Sequence, residues 1–307
     1  MTIKENILDL IGNTPLVRLK NIEKKFHLDG AIYAKLERCN PTGSIKDRAA
    51  KQMLLDALKE GKITKDSIIV EPTSGNTGIS LAALCACMKL KLIIFMPENC
   101  SIERIKMMRA FNAEVILTPK EGGMSGSIKS AIEFKETHKN VFIPDQFNNE
   151  SNVKAHYLST APEIYKALNG KLDYFVAAFG TGGTLTGVSK YLKEQNPDIK
   201  AIGLEPASSP FYTERKKGLH KIQGIGAGFI PSIMDPSLID DVLTVTDEDA
   251  YEYTRLLAKE EGLFCGITSG CNLFGAIEVL KKHPFSTIVT VFPDDGERYL
   301  SVEGLYE

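Results

Sequence analysis

Asp173 to Asn196 reads "DYFVAAFGTGGTLTGVSKYLKEQN", and this stretch combines an apolar run, a glycine-rich turn and a helical pattern. The run "DYFVAAF" is typical of a strand in a parallel sheet, where both faces are buried. The glycines of "GTGGT" mark a turn, and "LTGVSKYLKEQN" continues as a helix. The stretch therefore predicts a strand, turn and helix unit of an α/β fold.

The glycine loop, Gly180–Thr184, is a candidate anion site. Free backbone N–H groups converge where a glycine-rich turn enters a helix, so such a loop holds a phosphate without a basic residue. Gly180 and Gly182 also fit the dinucleotide fingerprint G-x-G-x-x-G, but residue 185 is Leu. Three alternatives stay open on the loop alone: a nucleotide, as in an NAD-dependent oxidoreductase, another phosphate ester, or a structural turn.

The same alternation of strand and helix patterns extends along the chain. Helical segments such as "SIERIKMMRAFN", "SGSIKSAIEFKETH" and "DEDAYEYTRLLAKEEG" lie between apolar runs. This alternation predicts mainly parallel sheets covered by helices. The other apolar runs are "AIYAKLE", "SIIVEP", "KLIIFMP", "AEVILTP", "NVFIPDQ", "KAIGLEP" and "STIVTVFP".

Composition limits the partners. A chain of 307 residues suits two domains. Its 37 basic and 39 acidic residues provide no field that would recruit nucleic acid or a membrane, so we expect small-molecule partners. The six cysteines are too sparse for a disulfide framework, and the five histidines show no metal-ligand spacing. With no basic and apolar leader pattern and no run long enough to span a bilayer, we expect a soluble, cytoplasmic protein without a metal.

Lys46 stands at an unusual position in "NPTGSIKDRAA", Asn40 to Ala50. Ser44 and Asp47 form a capping-box pattern, which places Lys46 in the first turn of a helix. A cation is disfavoured there by about 0.3–1 kcal/mol. Lys46 is therefore either an ordinary lysine at a poor position or a nucleophile, with a lowered pKa or an imine link to an aldehyde cofactor.

Two further loops carry polar side chains at predicted helix starts. In "EPTSGNTGIS" the side chains of Thr73, Ser74, Asn76 and Thr77 suit a carboxylate or phenolate oxygen, with helix capping as the alternative. "GITSG" places Thr268 and Ser269 between glycines. A cap would explain one of these hydroxyls but not the whole pattern.

Six motifs, taken in order, are specific together although each is weak alone: "NPTGSIKDRAA", "EPTSGNTGIS", "AAFGTGGTLTGV", "KIQGIGAGFIP", "GITSG" and "GERYLS". With "IGNTPLVRL" at the start, the chain resembles the cysteine synthase family over nearly its whole length. These are O-acetylserine sulfhydrylases, which are pyridoxal 5'-phosphate enzymes of fold type II. The resemblance implies a two-domain α/β fold with the active site in the cleft between the domains.

By this resemblance Lys46 carries the cofactor as an imine and Asn76 binds its 3′ oxygen. Thr268, rather than Ser269, would face the pyridine nitrogen. The resemblance assigns the phosphate to Gly180, Thr181, Gly182, Gly183 and Thr184. It assigns the substrate α-carboxylate to Thr73, Ser74, Thr77 and Gln146, and the pocket lining to Gly224 and Met124. Asp294 and Asp295 end a strand at the site's side of the sheet, and turn formation explains them equally well.

The family architecture implies a smaller N-terminal domain at 35–149, with 1–12 packed on it, and a larger cofactor-binding domain formed by 13–34 and 150–307. The implied reaction replaces the acetate of O-acetyl-L-serine with sulfide through an α-aminoacrylate, giving L-cysteine. Alternatives are a cystathionine β-synthase, a cysteine lyase that releases hydrogen sulfide and, more distantly, the NAD-binding oxidoreductase. The resemblance also implies a homodimer, and an association with serine acetyltransferase is a further prediction.

Overall fold

The computed structural model describes residues 3–306, which form two compact units. Unit 1 consists of the chain up to Ile11 and Lys46–Asn152, and unit 2 consists of Gly12–Ile45 and the chain from Val153 onward. Each unit contains its own sheet. The two-domain α/β class predicted from the sequence is confirmed.

The predicted domain bounds differ from these units at residue 12, at 35–45 and at 150–152. Residues 35–45 belong to unit 2, where the backbone N–H of Ile45 donates to the Pro293 carbonyl at 2.8 Å. Residues 150–152 belong to unit 1, where Asn152 Nδ2 donates to the Gln146 carbonyl at 2.9 Å. The assignment of the cofactor to the larger domain stays a prediction.

Strands and helices alternate through the described chain. Within residues 3–306 the strands are β1 (Leu16–Arg18), β2 (Ala31–Leu36), β3 (Ile68–Pro72), β4 (Lys91–Pro97), β5 (Glu114–Thr118), β6 (Val141–Phe142), β7 (Tyr174–Ala178), β8 (Lys200–Pro206), β9 (Asp241–Val245) and β10 (Thr287–Phe292). The α-helices are α1 (Lys20–Lys25), α2 (Lys46–Lys59), α3 (Asn76–Met88), α4 (Ile102–Ala110), α5 (Gly123–Thr137), α6 (Glu150–Ala155), α7 (Ala161–Ala167), α8 (Gly183–Gln195), α9 (Phe211–Glu214), α10 (Asp247–Glu261) and α11 (Ile267–Lys282).

Unit 1 has a parallel sheet in the order β5-β4-β3-β6. Apolar side chains of α2, α3 and α4 form a core with one face of this sheet. On the other face, Ala131 of α5 packs in a smaller cluster with Val70, Ile93 and Phe95. Helix α3 is buried over most of its length because its sequence is apolar on nearly every side.

Unit 2 has a sheet in the order β1-β2-β10-β7-β8-β9, in which the β1–β2 pair alone is antiparallel. Side chains of α10 and α11 cover one face, and side chains of α7 and α8 cover the other. The sequence patterns missed β1 and β9. Both lie at sheet edges and keep partly exposed side chains, so neither has the continuous apolar run of a central strand.

Each sheet presents one of the candidate loops at the carboxyl end of a strand. The polar loop, Thr73–Thr77, joins β3 to α3, and the glycine loop joins β7 to α8. Ligands of open α/β sheets bind outside the carboxyl ends of the strands. The fold therefore puts both loops at ligand-binding positions of their own sheets.

Candidate active site

Lys46 lies in the first turn of α2, as predicted, and is partly buried; the helix begins at Lys46 itself, one residue later than a cap at Ser44 implies. The next residue, Asp47, is buried and its Oδ1 accepts a hydrogen bond of 2.6 Å from Ser80 Oγ. Ser80 lies one turn inside α3. This bond joins the first turns of α2 and α3, so the backbone that carries Lys46 is held beside the helix that begins at Asn76.

The polar loop is packed tightly onto unit 1. A Cβ atom at Gly78 would lie 2.9 Å from Thr73 Cγ2 and 2.7 Å from Met108 Sδ, which only a glycine avoids. Ser74 is tied down through its carbonyl, which accepts from Arg104 Nη1 at 3.2 Å. The N-cap of α3 is Gly75, so none of the polar side chains of this loop belongs to the capping residue.

Gln146 meets the polar loop from a distant part of the sequence. Thr77 Oγ1 donates to Gln146 Oε1 at 2.7 Å, across 69 positions in the chain. Gln146 is 8% exposed, and no residue within 3–306 accepts a hydrogen bond from its Nε2. Because its oxygen is already occupied, the Gln146 amide presents N–H donors, which is the chemistry that a carboxylate ligand requires.

Met124 is a separate case among the substrate-contact predictions in unit 1. It lies partly buried in the first turn of α5, directly after Gly123, the first residue of the helix, whose φ is +49°. Its role at the mouth of a substrate pocket stays a prediction.

Glu71 was missed by the sequence reasoning. It lies near the end of β3, is 1% exposed, and its Oε2 accepts from the backbone N–H of Asp145 at 3.1 Å. Burial raises the pKa of its carboxyl group to about 8, against the opposite effect of hydrogen bonds from the backbone of Asp145 and Gln146. An acidic residue in the otherwise apolar run "SIIVEP" was the available signal, because buried carboxyl groups need a specific reason.

The glycine loop depends on the absence of side chains. A Cβ atom at Gly180 would lie 2.3 Å from the Gly224 carbonyl oxygen, closer than any real contact. Gly182 has φ of +80°, a left-handed conformation that favours glycine. Helix α8 begins at Gly183, so its first N–H groups are at the loop. Unobstructed N–H groups at the positive end of a helix fit a phosphate.

Thr184, the last residue of the glycine loop, shares a hydrogen bond of 3.2 Å with Nε2 of His156. His156 is 2% exposed, and its Nδ1 is 2.9 Å from Thr160 Oγ1. Both residues lie in a π-helical turn between α6 and α7, and such turns are frequent at functional sites. No sequence pattern predicts this contact, because nothing in the spacing of the histidines relates residue 156 to residue 184.

Thr268 and Gly224 lie together beside Gly180 in unit 2. Thr268 Oγ1 donates to the Gln223 carbonyl at 3.0 Å, and a Cβ atom at Gly224 would lie 3.7 Å from the same hydroxyl. The N-cap of α11 is Gly266, so Thr268 is not the capping residue. The neighbouring Ser269 Oγ is buried and has no hydrogen-bond partner within the described chain. Of these two buried hydroxyls, that of Thr268 therefore has a hydrogen-bond partner and that of Ser269 has none within the described chain.

Replacing these two hydroxyls one at a time tests which of them serves the ligand. We expect Thr268→Val to reduce the free energy of unfolding by about 1–3 kcal/mol, because the Gln223 carbonyl loses its donor. Ser269→Ala removes an unpartnered polar atom, so the apo protein should keep its stability. Urea unfolding and the absorbance of the loaded protein provide the measurements. A changed cofactor spectrum in Ser269→Ala, with an unchanged one in Thr268→Val, would show that the prediction of Thr268 is wrong.

Asp294 and Asp295 have structural partners in unit 2. Asp294 Oδ2 accepts from the Tyr299 hydroxyl at 2.5 Å. Asp295 accepts from the backbone N–H of Glu297 at 3.0 Å and pairs with Arg38 at 3.0 Å. These contacts agree with a turn-forming role.

Residues 3–306 contain neither a membrane-spanning helix nor a metal-binding cluster. Every helix in residues 3–306 is too short or too polar to cross a membrane. Across the same residues, His, Cys, Asp and Glu side chains do not form a cluster that could hold a metal ion.

Comparison with known proteins identifies the cofactor. The family model described as pyridoxal-phosphate dependent enzyme matches residues 7–294. The chain belongs to this family. Of the phosphate-containing ligands that the glycine loop left open, the family match selects pyridoxal phosphate over a dinucleotide.

Similar proteins resemble this pyridoxal-phosphate-dependent enzyme along its whole length. Cysteine synthase B of Campylobacter jejuni is 48% identical over 303 residues, which are 99% of each chain. The crystal structure of a hydrogen sulfide-producing enzyme from Fusobacterium nucleatum has a TM-score of 0.94 and 47% identity, covering 98% of this chain and 99% of that chain. An O-acetylserine dependent cystathionine beta-synthase from Helicobacter pylori has a TM-score of 0.93 and 42% identity, covering 100% of both chains.

The residues present suit pyridoxal phosphate in this pyridoxal-phosphate-dependent enzyme. Its phosphate requires backbone N–H donors at a helix start, and α8 begins inside the glycine loop, at Gly183. Its aldehyde requires a lysine amine, and Lys46 begins α2 at the positive end of the helix dipole. The hydroxyls of Thr268 and Ser269 are the kind of neutral group that suits a pyridine nitrogen.

Proposed function

We infer that the protein is a cysteine synthase, which replaces the acetate group of O-acetyl-L-serine with sulfide and gives L-cysteine and acetate. The observation that carries this inference is the 48% identity to cysteine synthase B over 99% of both chains. The polar loop with Gln146 supports it, since hydroxyls and amide N–H groups suit the α-carboxylate of an amino acid.

The proposal assigns residues of both units to the cofactor. Lys46 binds the aldehyde carbon, Asn76 the 3′ oxygen, and the glycine loop the phosphate. Thr268 faces the ring nitrogen. A neutral hydroxyl does not stabilise a protonated pyridine as a carboxylate would, so we expect the ring nitrogen to stay largely unprotonated.

The proposal assigns other residues to the substrate and its protons. When bound, pyridoxal phosphate withdraws electrons from the α-carbon of an amino acid, which lets the α-proton leave. Once the substrate amine has displaced Lys46 from the aldehyde carbon, the freed Lys46 Nζ would remove this proton. Acetate would leave the β-carbon, sulfide would add there, and Lys46 would return the proton to the α-carbon. The substrate α-carboxylate is held by Thr73, Ser74, Thr77 and Gln146. Gly224 and Met124 line the substrate pocket.

Two related functions differ from the leading one in the donor or the nucleophile. The Helicobacter pylori relative is an O-acetylserine dependent cystathionine beta-synthase and covers this whole chain at 42% identity. It makes homocysteine the second candidate acceptor. The Fusobacterium nucleatum relative is a hydrogen sulfide-producing enzyme at 47% identity. A lyase that releases hydrogen sulfide from cysteine is therefore the third candidate function.

A matrix of donors and acceptors tests the function. The donors are O-acetylserine, serine, cysteine and O-phosphoserine, the acceptors are sulfide, homocysteine and water, and mass spectrometry identifies each product. We expect the largest kcat/KM for O-acetylserine with sulfide, and no product above background with Lys46→Ala. A larger kcat/KM for homocysteine would replace the proposal by cystathionine β-synthase. Sulfide release from cysteine as the best reaction would replace it by a lyase.

The assembly and location of the enzyme are further proposals. We expect a homodimer in solution, an association with serine acetyltransferase, and a location in the cytoplasm. They rest on the family resemblance of the sequence.

A further inference from the structure

The carboxyl group of Glu71 lies under the loop that carries Gln146. Glu71 precedes the last residue of β3 and is 1% exposed, and its Oε2 accepts from the backbone N–H of Asp145 at 3.1 Å. Asp145 immediately precedes Gln146. A buried side chain of the unit 1 sheet therefore accepts a hydrogen bond from the backbone next to Gln146.

The backbone at Asp145 has a left-handed conformation, with φ of +52°. Asp adopts this region more readily than most residues other than glycine, and hydrogen bonds on both sides of the turn stabilise it here. The Asp145 carbonyl accepts from the N–H groups of Asn148 and Asn149 at 3.0 Å each, which closes the turn on its far side. On the other side of the turn, the Glu71 carboxyl group accepts a hydrogen bond from the Asp145 N–H. Because the turn at Asp145 sets the direction of the next residue, the Glu71 contact bears on where the Gln146 side chain points.

The orientation of the Gln146 side-chain amide depends on this backbone. Its Oε1 accepts from Thr77 Oγ1 at 2.7 Å, and its carbonyl accepts from Asn152 Nδ2 at 2.9 Å. With Oε1 occupied, the Nε2 donors are the part of the amide available to an anionic group. A displacement of the 145–146 backbone would move these donors away from the polar loop.

We propose that Glu71 is a positioning residue, whose buried carboxyl group holds the Asp145–Gln146 backbone so that the Gln146 amide donates to the α-carboxylate of the amino-acid substrate. The inference rests on the proposed function and extends it to a residue that does not itself touch the substrate.

The protonation of Glu71 agrees with this role. Burial raises its pKa to about 8, so the group is mostly neutral at pH 7. A neutral carboxyl group still accepts the Asp145 N–H bond. It also adds no negative charge beneath a loop that must receive a carboxylate, whereas an ionised group would oppose that anion.

The first test compares ligands with and without a carboxylate. L-Serine and L-serinamide are titrated into loaded protein, and binding is followed through the cofactor absorbance. Glu71→Leu should bind L-serine about 10- to 100-fold more weakly, the loss of a hydrogen bond to a charged group, with little change for L-serinamide. Glu71→Gln keeps the shape and one acceptor, so it should bind L-serine nearly as wild type does. Equal weakening of both ligands in Glu71→Leu would overturn the proposal.

A matched control comes from the other unit. Glu205 also precedes a proline that ends a parallel strand, is 2% exposed, and accepts from the backbone N–H groups of Tyr212 and Thr213 at 2.7 and 3.0 Å. Glu205→Leu should lose stability without a selective loss of L-serine binding. A selective loss there as large as in Glu71→Leu would show that the effect is not specific to the Gln146 loop.

A double-mutant cycle tests whether Glu71 acts through Gln146. Glu71→Leu and Gln146→Ala should each weaken L-serine binding, and the double variant should be little weaker than Gln146→Ala alone. Additive effects would overturn the proposal, because they would mean that Glu71 acts by another route.

Two measurements on wild-type protein keep the proposal testable if Glu71→Leu does not fold. The first is hydrogen exchange. The backbone N–H of Asp145 should exchange slowly although the residue is exposed, because it donates to Glu71. An unprotected rate would show that the Glu71 bond is not formed and would overturn the proposal. Binding is read without sulfide, so wild-type protein that binds L-serine but makes no cysteine would contradict the proposed function alone.

Discussion

Lys46→Ala is expected to fold normally and to lose both the covalent link to the cofactor and the formation of cysteine. The loss of its proton transfer alone should reduce kcat by about 10²–10⁴-fold. Removal of a cation from the first turn of α2 should not destabilise the helix through its dipole, because a positive charge is unfavourable there by about 0.3–1 kcal/mol. Borohydride reduction of loaded wild-type protein, followed by peptide mapping, should find the modified lysine at position 46.

Lys59 provides the control for this experiment. It is an exposed lysine in the last turn of the same helix, where a cation is favourable. Lys59→Ala should keep the cofactor link and full activity. A reduced linkage at any lysine other than Lys46 would refute the assignment, as would a Lys46→Ala variant that retains wild-type turnover.

Gly180→Ala is expected to abolish stable retention of the cofactor. The added Cβ would lie 2.3 Å from the Gly224 carbonyl oxygen, so backbone on at least one side must move. The 224–226 segment is also held to the strand end, since the Gly226 N–H donates to the Phe179 carbonyl at 3.3 Å. Such overpacking costs about 1–3 kcal/mol, and the shift displaces the N–H groups at the start of α8. Cofactor content after dialysis and thermal unfolding of the apo protein measure the two effects separately.

A glycine in open space provides the comparison. Gly126 lies inside α5, and a Cβ there would meet nothing within 4 Å. Gly126→Ala should therefore stabilise the protein by about 0.5–1 kcal/mol, because alanine favours a helix. If Gly180→Ala retained the cofactor as well as Gly126→Ala does, the glycine loop would not be the phosphate site.

Secondary structure was predictable where one element buries a continuous apolar run. The runs that became β3, β4, β7, β8 and β10 are internal strands of their sheets, with nearly complete burial. The edge strands β1 and β9 lack such runs and were missed. The domain bounds were harder still, because they depend on pairing. The segment after β2 stays with unit 2 through contacts such as Ile45 with Pro293, which lie far apart in the chain.

The chemistry of the loops follows from the sequence alone. Polar residues at a strand end, glycines before a helix and a lysine at a helix start are local patterns, and local geometry makes each of them meaningful. For that reason Lys46 appeared at the first residue of α2, and the glycine loop appeared at the start of α8.

Which of these groups are in contact depends on the tertiary fold. The Thr77–Gln146 bond, the support of Asp145 by Glu71, the approach of Gly180 to Gly224 and the Thr184–His156 bond all join distant parts of the chain. Such contacts depend on the order of strands in each sheet and on how closely helices pack. At Gly187, for example, a Cβ would lie 2.4 Å from the Val153 carbonyl oxygen and 2.9 Å from His156 Cβ, so a glycine lets α8 approach α6 and the turn that carries His156. Strand order and packing distances arise from the summed burial of many side chains, and a local pattern contains neither.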